Sequence, residues 1–380
     1  MRGTILKRGK KWSIVVDIGK DIKGKRKQKW FSGFRTRKEA ESELTKILHQ
    51  LENNIFINPD KMNLAEYLRQ WSADYVAVNL APTTRQGYKV NIEGHIIPHI
   101  GHIPLQKLQP MHIQRFYKEK MENGRLDGKG GLSAKTVMYI HRVLREALSH
   151  AVKQQIIPRN VADFVEVPKL KKYHATVLNE DGVHTLLEAF KDTNLYIPVL
   201  LGVGVGLRRG EALGLQWKDI DSKNKTIHIS RSLLPTEQGL IFHVTKTEGS
   251  NRVIVVSNTI INLLNEVQKQ QEENKNILGE AYNNNDLITC WDDGSPINPA
   301  TFSQYFGRTL KKNNLPHIRF HDLRHTNATL MLKQKVSAKV ASQRLGHSTI
   351  GITLDLYSHV LMEMQEEAAD KLEDIIFKKN

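Results

Sequence analysis

The chain has 380 residues, 39% of them hydrophobic and 25% charged, a balance typical of a globular protein with two or three domains. Its 56 Lys and Arg against 40 Asp and Glu leave a net charge of +16, which points to a polyanionic partner, nucleic acid before a membrane surface. The single cysteine, Cys290, excludes an internal disulfide and suits a reducing cytoplasm, while the lack of an apolar run of about 18 residues excludes a membrane helix.

Residues 1–57 hold 15 Lys and Arg against 6 Asp and Glu, so over half of the net charge sits in the first sixth of the chain. No apolar stretch follows the basic N-terminus, so a signal peptide is not expected. The pattern predicts strands at 4–7, 11–18 and 27–31, with turns at Gly9-Lys10 and at 21–24. Thr36 and Glu39 have capping-box spacing and predict a helix running to about residue 51. A narrow sheet of this kind fits a major groove. Lys7, Lys11, Lys27 and Lys29, interleaved with Trp12 and Trp30, are its candidate DNA contacts. A basic module that binds protein or RNA is the alternative.

Residues 58–168 open with Asn58-Pro59-Asp60, a linker in composition, and continue with helical periodicity. Leu64, Leu68 and Trp71 mark a first helix. Pro82 starts a second, with Tyr88, Ile92 and Ile96, which Pro98 and Gly101 are expected to stop. A third spans 111–121. Ser133 caps a fourth that carries Val137, Ile140, Leu144, Ala147 and Ala151. The residues alone describe a small helical bundle. Lys89, Lys135, His141 and Arg142 are candidate DNA contacts on it, and a solvated helix face accounts for them equally well.

Pro158-Arg159-Asn160 and the basic run Pro168-Lys169-Leu170-Lys171-Lys172 form the next boundary. Residues 169–380 then read as helices around one small sheet with strands at 226–230, 241–245 and 252–257. The predicted class is mainly α with small β-sheets (α+β). A tail helix over 361–378 places Leu361, Met364, Ala368, Leu372 and Ile375 near one stripe.

The chemistry sits in this last region. Gly206-Leu207-Arg208-Arg209-Gly210-Glu211 is followed by His321-Asp322-Leu323-Arg324-His325, then Leu345-Gly346-His347, then Tyr357 ten residues later. The set supplies two guanidinium groups, two imidazoles and a phenol. A phosphodiester transition state gains negative charge on its nonbridging oxygens, so fixed cations and donors do most of the work. Arginine suits this role through its fork of parallel donors and its permanent charge. Glu211 lies three residues after Arg208 and would orient it. His321 and Arg324 share one helix face at i, i+3. A neutral His321 could accept the phenolic proton, and His347 could donate to the phosphate. Tyr357, with an ordinary pKa near 10, would need such surroundings to attack at neutral pH. Taken singly, each residue has an ordinary structural explanation: a surface ion pair, a turn histidine, a packing tyrosine. Arg209 and His325 are given no chemical role.

The order and spacing of these motifs resemble the tyrosine recombinase (phage integrase) family. The resemblance extends along nearly the whole chain. It implies an arm-type DNA-binding domain at 1–57, a helical core-binding (SAM-like) domain at 58–168, and a catalytic domain at 169–380 with a C-terminal helix. It makes Arg208, Lys246, His321, Arg324, His347 and Tyr357 the catalytic set. Lys246, placed between two predicted strands with a turn at 248–251, would protonate the leaving 5′-oxygen. The implied product is a 3′-phosphotyrosyl link, religated without ATP, cofactor or metal. The implied function is integration, and excision, of a phage or other mobile element by a homotetramer on double-stranded DNA in the cytoplasm. An excisionase and a host DNA-bending protein are candidate partners, and no membrane is involved. The alternatives are a chromosome-dimer resolvase of the same family, which usually lacks the N-terminal domain, a type IB topoisomerase, and a noncatalytic DNA-binding regulator.

Overall fold

The computed structural model describes residues 3–20, 26–52, 62–170, 176–237, 239–244, 251–346 and 349–351, and helical pieces at 369–370, 372–373 and 375–377. The side chains of 18–20, 26, 27, 50 and 52 lie outside the description. The chain divides into two compact units, 1–171 and 172–380.

Within the first unit, β1 (Gly3–Arg8), β2 (Lys11–Lys20) and β3 (Arg26–Phe34) form an antiparallel sheet in the order β1-β2-β3. Strand alternation turns Ile14 and Val16 to one face, where they pack on Ala40, Ile47 and Leu51 of α1 (Arg37–Glu52). Thr36 accepts the Glu39 amide at 3.1 Å, while the Glu39 carboxylate reaches back to the Arg35 amide rather than to Thr36 itself. Lys7 and Lys11 are exposed, Lys29 is half-buried, and Lys27 falls on β3 with its side chain outside the described residues. Arg8 covers the Trp30 ring at 4.7 Å and Lys7 lies 5.8 Å from the Trp12 ring, so cations and aromatics are interleaved on the sheet.

The helical part of this unit has its own core, centred on Leu64, Trp71, Ile92, Phe116, Tyr117 and Leu144. Asn63 and Glu66 cap each other at the start of α2 (Leu64–Trp71), which continues through a π-helical turn (Ser72–Val76) into α3 (Ala77–Asn79). α4 (Pro82–Lys89) likewise passes through a π-helical turn (Val90–Ile96) into α5 (Ile97–Ile100). Pro98 therefore does not stop this helix. The wider turn resets the hydrogen-bond register, and Pro98 falls in the first turn of α5, where a missing N–H costs little. α6 (Pro110–Asn123) and α7 (Ala134–Lys153) follow, the latter capped by Ser133. Lys89, Lys135 and Arg142 are exposed, whereas His141 is half-buried with its Nδ1 3.0 Å from the Tyr117 hydroxyl.

The second unit contains α8 (Glu180–Phe190), α9 (Tyr196–Leu200), a π-helical turn (Leu201–Val205), and α10 (Arg209–Gly214). Five short strands follow: β4 (Ile220–Asp221), β5 (Thr226–Ile229), β6 (Arg231–Thr236), β7 (Gly239–Val244) and β8 (Arg252–Val255). Then come α11 (Asn258–Leu278), α12 (Pro299–Lys312), α13 (Phe320–Lys333) and α14 (Ala338–Leu345). The expected single sheet is in fact two. β4-β5-β8 form one, and β6-β7 form a separate hairpin. β7 thus pairs with β6, through Arg231 opposite Val244, and not with β8. β6 escapes the sequence pattern because Pro235 sits inside it, which a two-stranded ribbon tolerates since no further strand needs that amide. Phe190, Phe302 and Phe306 stack in the core, and Phe320 of α13 meets Phe302 and Phe306 edge-on. No helix among the described residues is long and apolar enough to cross a membrane.

Candidate active site

Gly206 adopts a left-handed conformation (φ 78°) that ends the π-helical turn and aims the chain into α10. Arg208 then caps α10. Its amide donates to Glu211 Oε2 at 2.9 Å and its Nη1 to Glu211 Oε1 at 2.8 Å. Its Nη2 donates to the Gly346 carbonyl at 3.0 Å, and the side chain stays 38% exposed.

Arg324 enters the same place from α13. It is a fully buried guanidinium whose Nη1 donates to the Gly206 carbonyl at 2.7 Å and whose Nη2 donates to the Leu345 carbonyl. Two arginines from distant segments thus bind consecutive carbonyls, 345 and 346, where α14 ends in a second left-handed glycine (Gly346, φ 64°). α13 is seated for this by close packing on the π-helical turn. A Cβ on Gly202 would lie 2.7 Å from the Phe320 ring, and Asn327 Nδ2 donates to the Val203 carbonyl at 2.8 Å.

His321 lies one turn before Arg324 and faces an open cleft of about 510 Å³ that it shares with Arg208, Arg209, Ser303, His317 and Arg319. The residue reaches solvent. The protein packed around its ring, then repulsion from His325 when that ring is protonated and from the Arg324 and Arg208 guanidiniums, push its pKa down to about 4. The imidazole is therefore neutral at physiological pH and free to accept or share a proton. His325 packs edge-on beneath it at 4.9 Å between ring centroids. Asp322 holds the start of α13 by accepting from the Arg319 amide at 2.8 Å and from its Nη2 at 2.9 Å.

Glu211 is 1% exposed and has a further partner that sequence spacing does not indicate. Arg252, the first residue of β8, donates to Glu211 Oε1 at 3.1 Å and Oε2 at 2.9 Å, and through Nε to the Arg344 carbonyl at 2.8 Å. Burial alone would raise the Glu211 carboxyl's pKa. Hydrogen bonds and charge from Arg252, then the charge of Arg208, outweigh it and hold the group below the usual carboxylate range. Arg252 shares the inward face of β8 with Ile254, while the outward positions are also apolar (Val253, Val255), so strand alternation gave no sign of its direction.

Of the expected set, Arg208, Glu211, His321 and Arg324 come together around the end of α14. Lys246, His347 and Tyr357 lie outside the described residues. Among the described residues there is no group of three or more His, Cys, Asp or Glu that could hold a metal.

Residues 176–364 match the sequence profile of the phage integrase family, residues 63–121 that of the phage integrase N-terminal SAM-like domain, and residues 4–51 that of an arm DNA-binding domain. The chain belongs to the phage integrase, or tyrosine recombinase, family. It is similar to a XerC-like tyrosine recombinase of Caldanaerobacter subterraneus, 27% identical over 97% of this chain and 98% of that one. It is also similar to the ICEBs1 integrase of Bacillus subtilis, 29% identical over 79% of this chain and 80% of that one. The Tn1549 transposon integrase, solved in complex with transposon right-end DNA, shares the fold with a TM-score of 0.68 at 22% identity, covering 82% of this chain and 99% of that one. The protein is accordingly a tyrosine-type site-specific recombinase of the integrase kind carried by mobile elements.

Proposed function

We propose that this recombinase integrates and excises its element by transferring a DNA 3′-phosphate to Tyr357 and back to a new 5′-hydroxyl. The observation that supports this is the meeting of Arg208 and Arg324 on neighbouring main-chain carbonyls, which concentrates two permanent cations where one phosphodiester could be held. In this reading neutral His321 takes the phenolic proton, His347 donates to a nonbridging oxygen and Lys246 protonates the leaving oxygen. Because the phosphotyrosyl link retains the energy of the phosphodiester, neither ATP nor a metal is required.

Residues 1–57 would hold arm-type sites through Lys7, Lys11, Lys27 and Lys29. Residues 58–168, through Lys89, Lys135 and Arg142, and residues 169–380 would clamp the core site. Four copies acting in the cytoplasm would synapse two sites, with an excisionase and a host DNA-bending protein setting direction. The tail supports an assembly role: Leu372, Ile375, Ile376 and Phe377 are 56–78% exposed, an apolar surface suited to a neighbouring copy. Removing residues 362–380 should therefore impair assembly, and normal assembly and recombination without them would remove this part of the reading.

The deciding experiment is covalent trapping on nicked suicide DNA carrying the attachment-site sequence, in EDTA, with wild type beside Tyr357→Phe. A denaturation-resistant adduct with wild type alone is the expected result. Binding by both proteins without any adduct, across validated sites, would favour a DNA-binding regulator on the same scaffold.

A further inference from the structure

Glu211 lies buried between two arginines, and their charges do not cancel. One carboxylate accepts from Arg208 at 2.8 and 2.9 Å and from Arg252 at 2.9 and 3.1 Å. The Arg252 side chain is itself buried, 7% exposed, and its Nε bond goes to a main-chain carbonyl, so its cation is matched by Glu211 alone among the described residues. Arg208 is the more exposed of the two and lines the open cleft. The trio therefore carries one net positive charge, on the arginine that faces outward.

We infer that Arg252 is a positioning residue for strand cleavage: it takes up the Glu211 charge, so that Glu211 can aim Arg208 without neutralising it toward the phosphate. A carboxylate is the best acceptor for fixing a guanidinium, but paired one-to-one it would cancel the attraction that Arg208 offers an anion. The second guanidinium resolves that conflict. The same side chain holds the Arg344 carbonyl, and Arg344 in turn donates to the Val255 carbonyl at 2.9 Å. β8 and the end of α14, whose carbonyls anchor Arg324 and Arg208, are thereby tied together at the point where Glu211 is held.

The inference rests on the reading of Arg208 as a phosphate ligand, and the test separates the two. Adduct formation at saturating nicked suicide DNA is measured for Arg208→Ala, Arg252→Gln, Glu211→Gln and the double variant Glu211→Gln/Arg252→Gln, each checked for folding by its melt and for binding by gel shift. Arg252→Gln leaves a neutral Arg208–Glu211 pair, and its single-turnover rate should fall about a hundredfold with DNA affinity nearly unchanged. The double variant restores the net charge on Arg208 and should be faster than Arg252→Gln by about tenfold, a rescue that a merely structural pair would not give. A double variant as slow as Arg252→Gln, or slower, overturns the inference. Should Arg252→Gln fail to fold, the double variant, which buries no charge at this pair, decides alone. A rate within about tenfold of wild type supports the inference, and a loss as large as that of Arg208→Ala overturns it. If Arg208→Ala itself cleaves normally, the phosphate-ligand reading fails, and the inference with it.

Discussion

The Arg324 guanidinium donates to the Gly206 carbonyl at 2.7 Å, which makes a left-handed glycine the anchor of a buried cation 118 residues away. A Cβ at position 206 would lie 2.4 Å from Leu345 Cδ2 and 2.9 Å from Asn327 Oδ1, and the backbone angle is one that alanine resists. Gly206→Ala should cost about 2 kcal/mol, read as a lowered melting temperature, and should slow adduct formation more than it weakens DNA binding. Equal losses in binding and cleavage would show that the carbonyl's position is not what matters.

Arg324→Lys keeps the charge but replaces a fork with a single point donor. A lysine cannot bridge the Gly206 and Leu345 carbonyls as two divergent nitrogens do. Cleavage should drop about a hundredfold with gel-shift affinity largely retained. Near-normal cleavage would mean that charge alone suffices at this position.

The depressed pKa of His321, about 4 against an ordinary value of 6.5, has a defined sign in stability. Between these values the unfolded chain binds the proton and the folded site does not. The contribution is thus fully present above about pH 6.5 and is lost as pH falls toward 4. His325, His95 and His141 are lowered as well, chiefly by burial, and act in the same direction. Urea melts from pH 7.5 to 4.5 should show falling stability, and His321→Gln should flatten the slope. An unchanged slope in the variant would place the acid sensitivity elsewhere.

In the helical part of the first unit, the buried Lys120 ammonium is 2.6 Å from His99 Nε2, and His99 Nδ1 is 2.8 Å from Glu119. Burial lowers the Lys120 pKa. Lys120→Met removes the buried cation together with its need for a partner and should change stability by less than about 1 kcal/mol in either direction. His99→Ala strands the ammonium and should cost about 3 kcal/mol. Chemical denaturation of the two variants checks this, and a larger loss for Lys120→Met would contradict it.

Contacts that repeat at helical spacing are legible in the sequence. Arg208 with Glu211, and His321 beside Arg324, follow from i, i+3 geometry. The amphipathic helices of 64–153 and the three N-terminal strands followed from their periodicity. What could not be read were contacts across distant segments. Nothing in the sequence says that Arg252 turns toward Glu211, or that Arg324 reaches the carbonyls of Gly206 and Leu345. The sheet was misread because Pro235 disguised β6, and with it the strand that β7 needs. Pro98 does not end its helix, which runs to Ile100 and stops at Gly101 as expected, because a π-helical turn is a property of packing, with no side-chain signature of its own.

Main-chain oxygens at 206 and 345 hold Arg324, and that at 346 shares the holding of Arg208 with Glu211. A peptide carbonyl is present whatever side chain its residue carries. Positions flanking these anchors can therefore drift over evolutionary time without unwiring the site, provided the two left-handed glycines keep the backbone path. Such a scaffold leaves few paired substitutions behind, so its most important connections would stay faint in comparisons of side-chain identity alone.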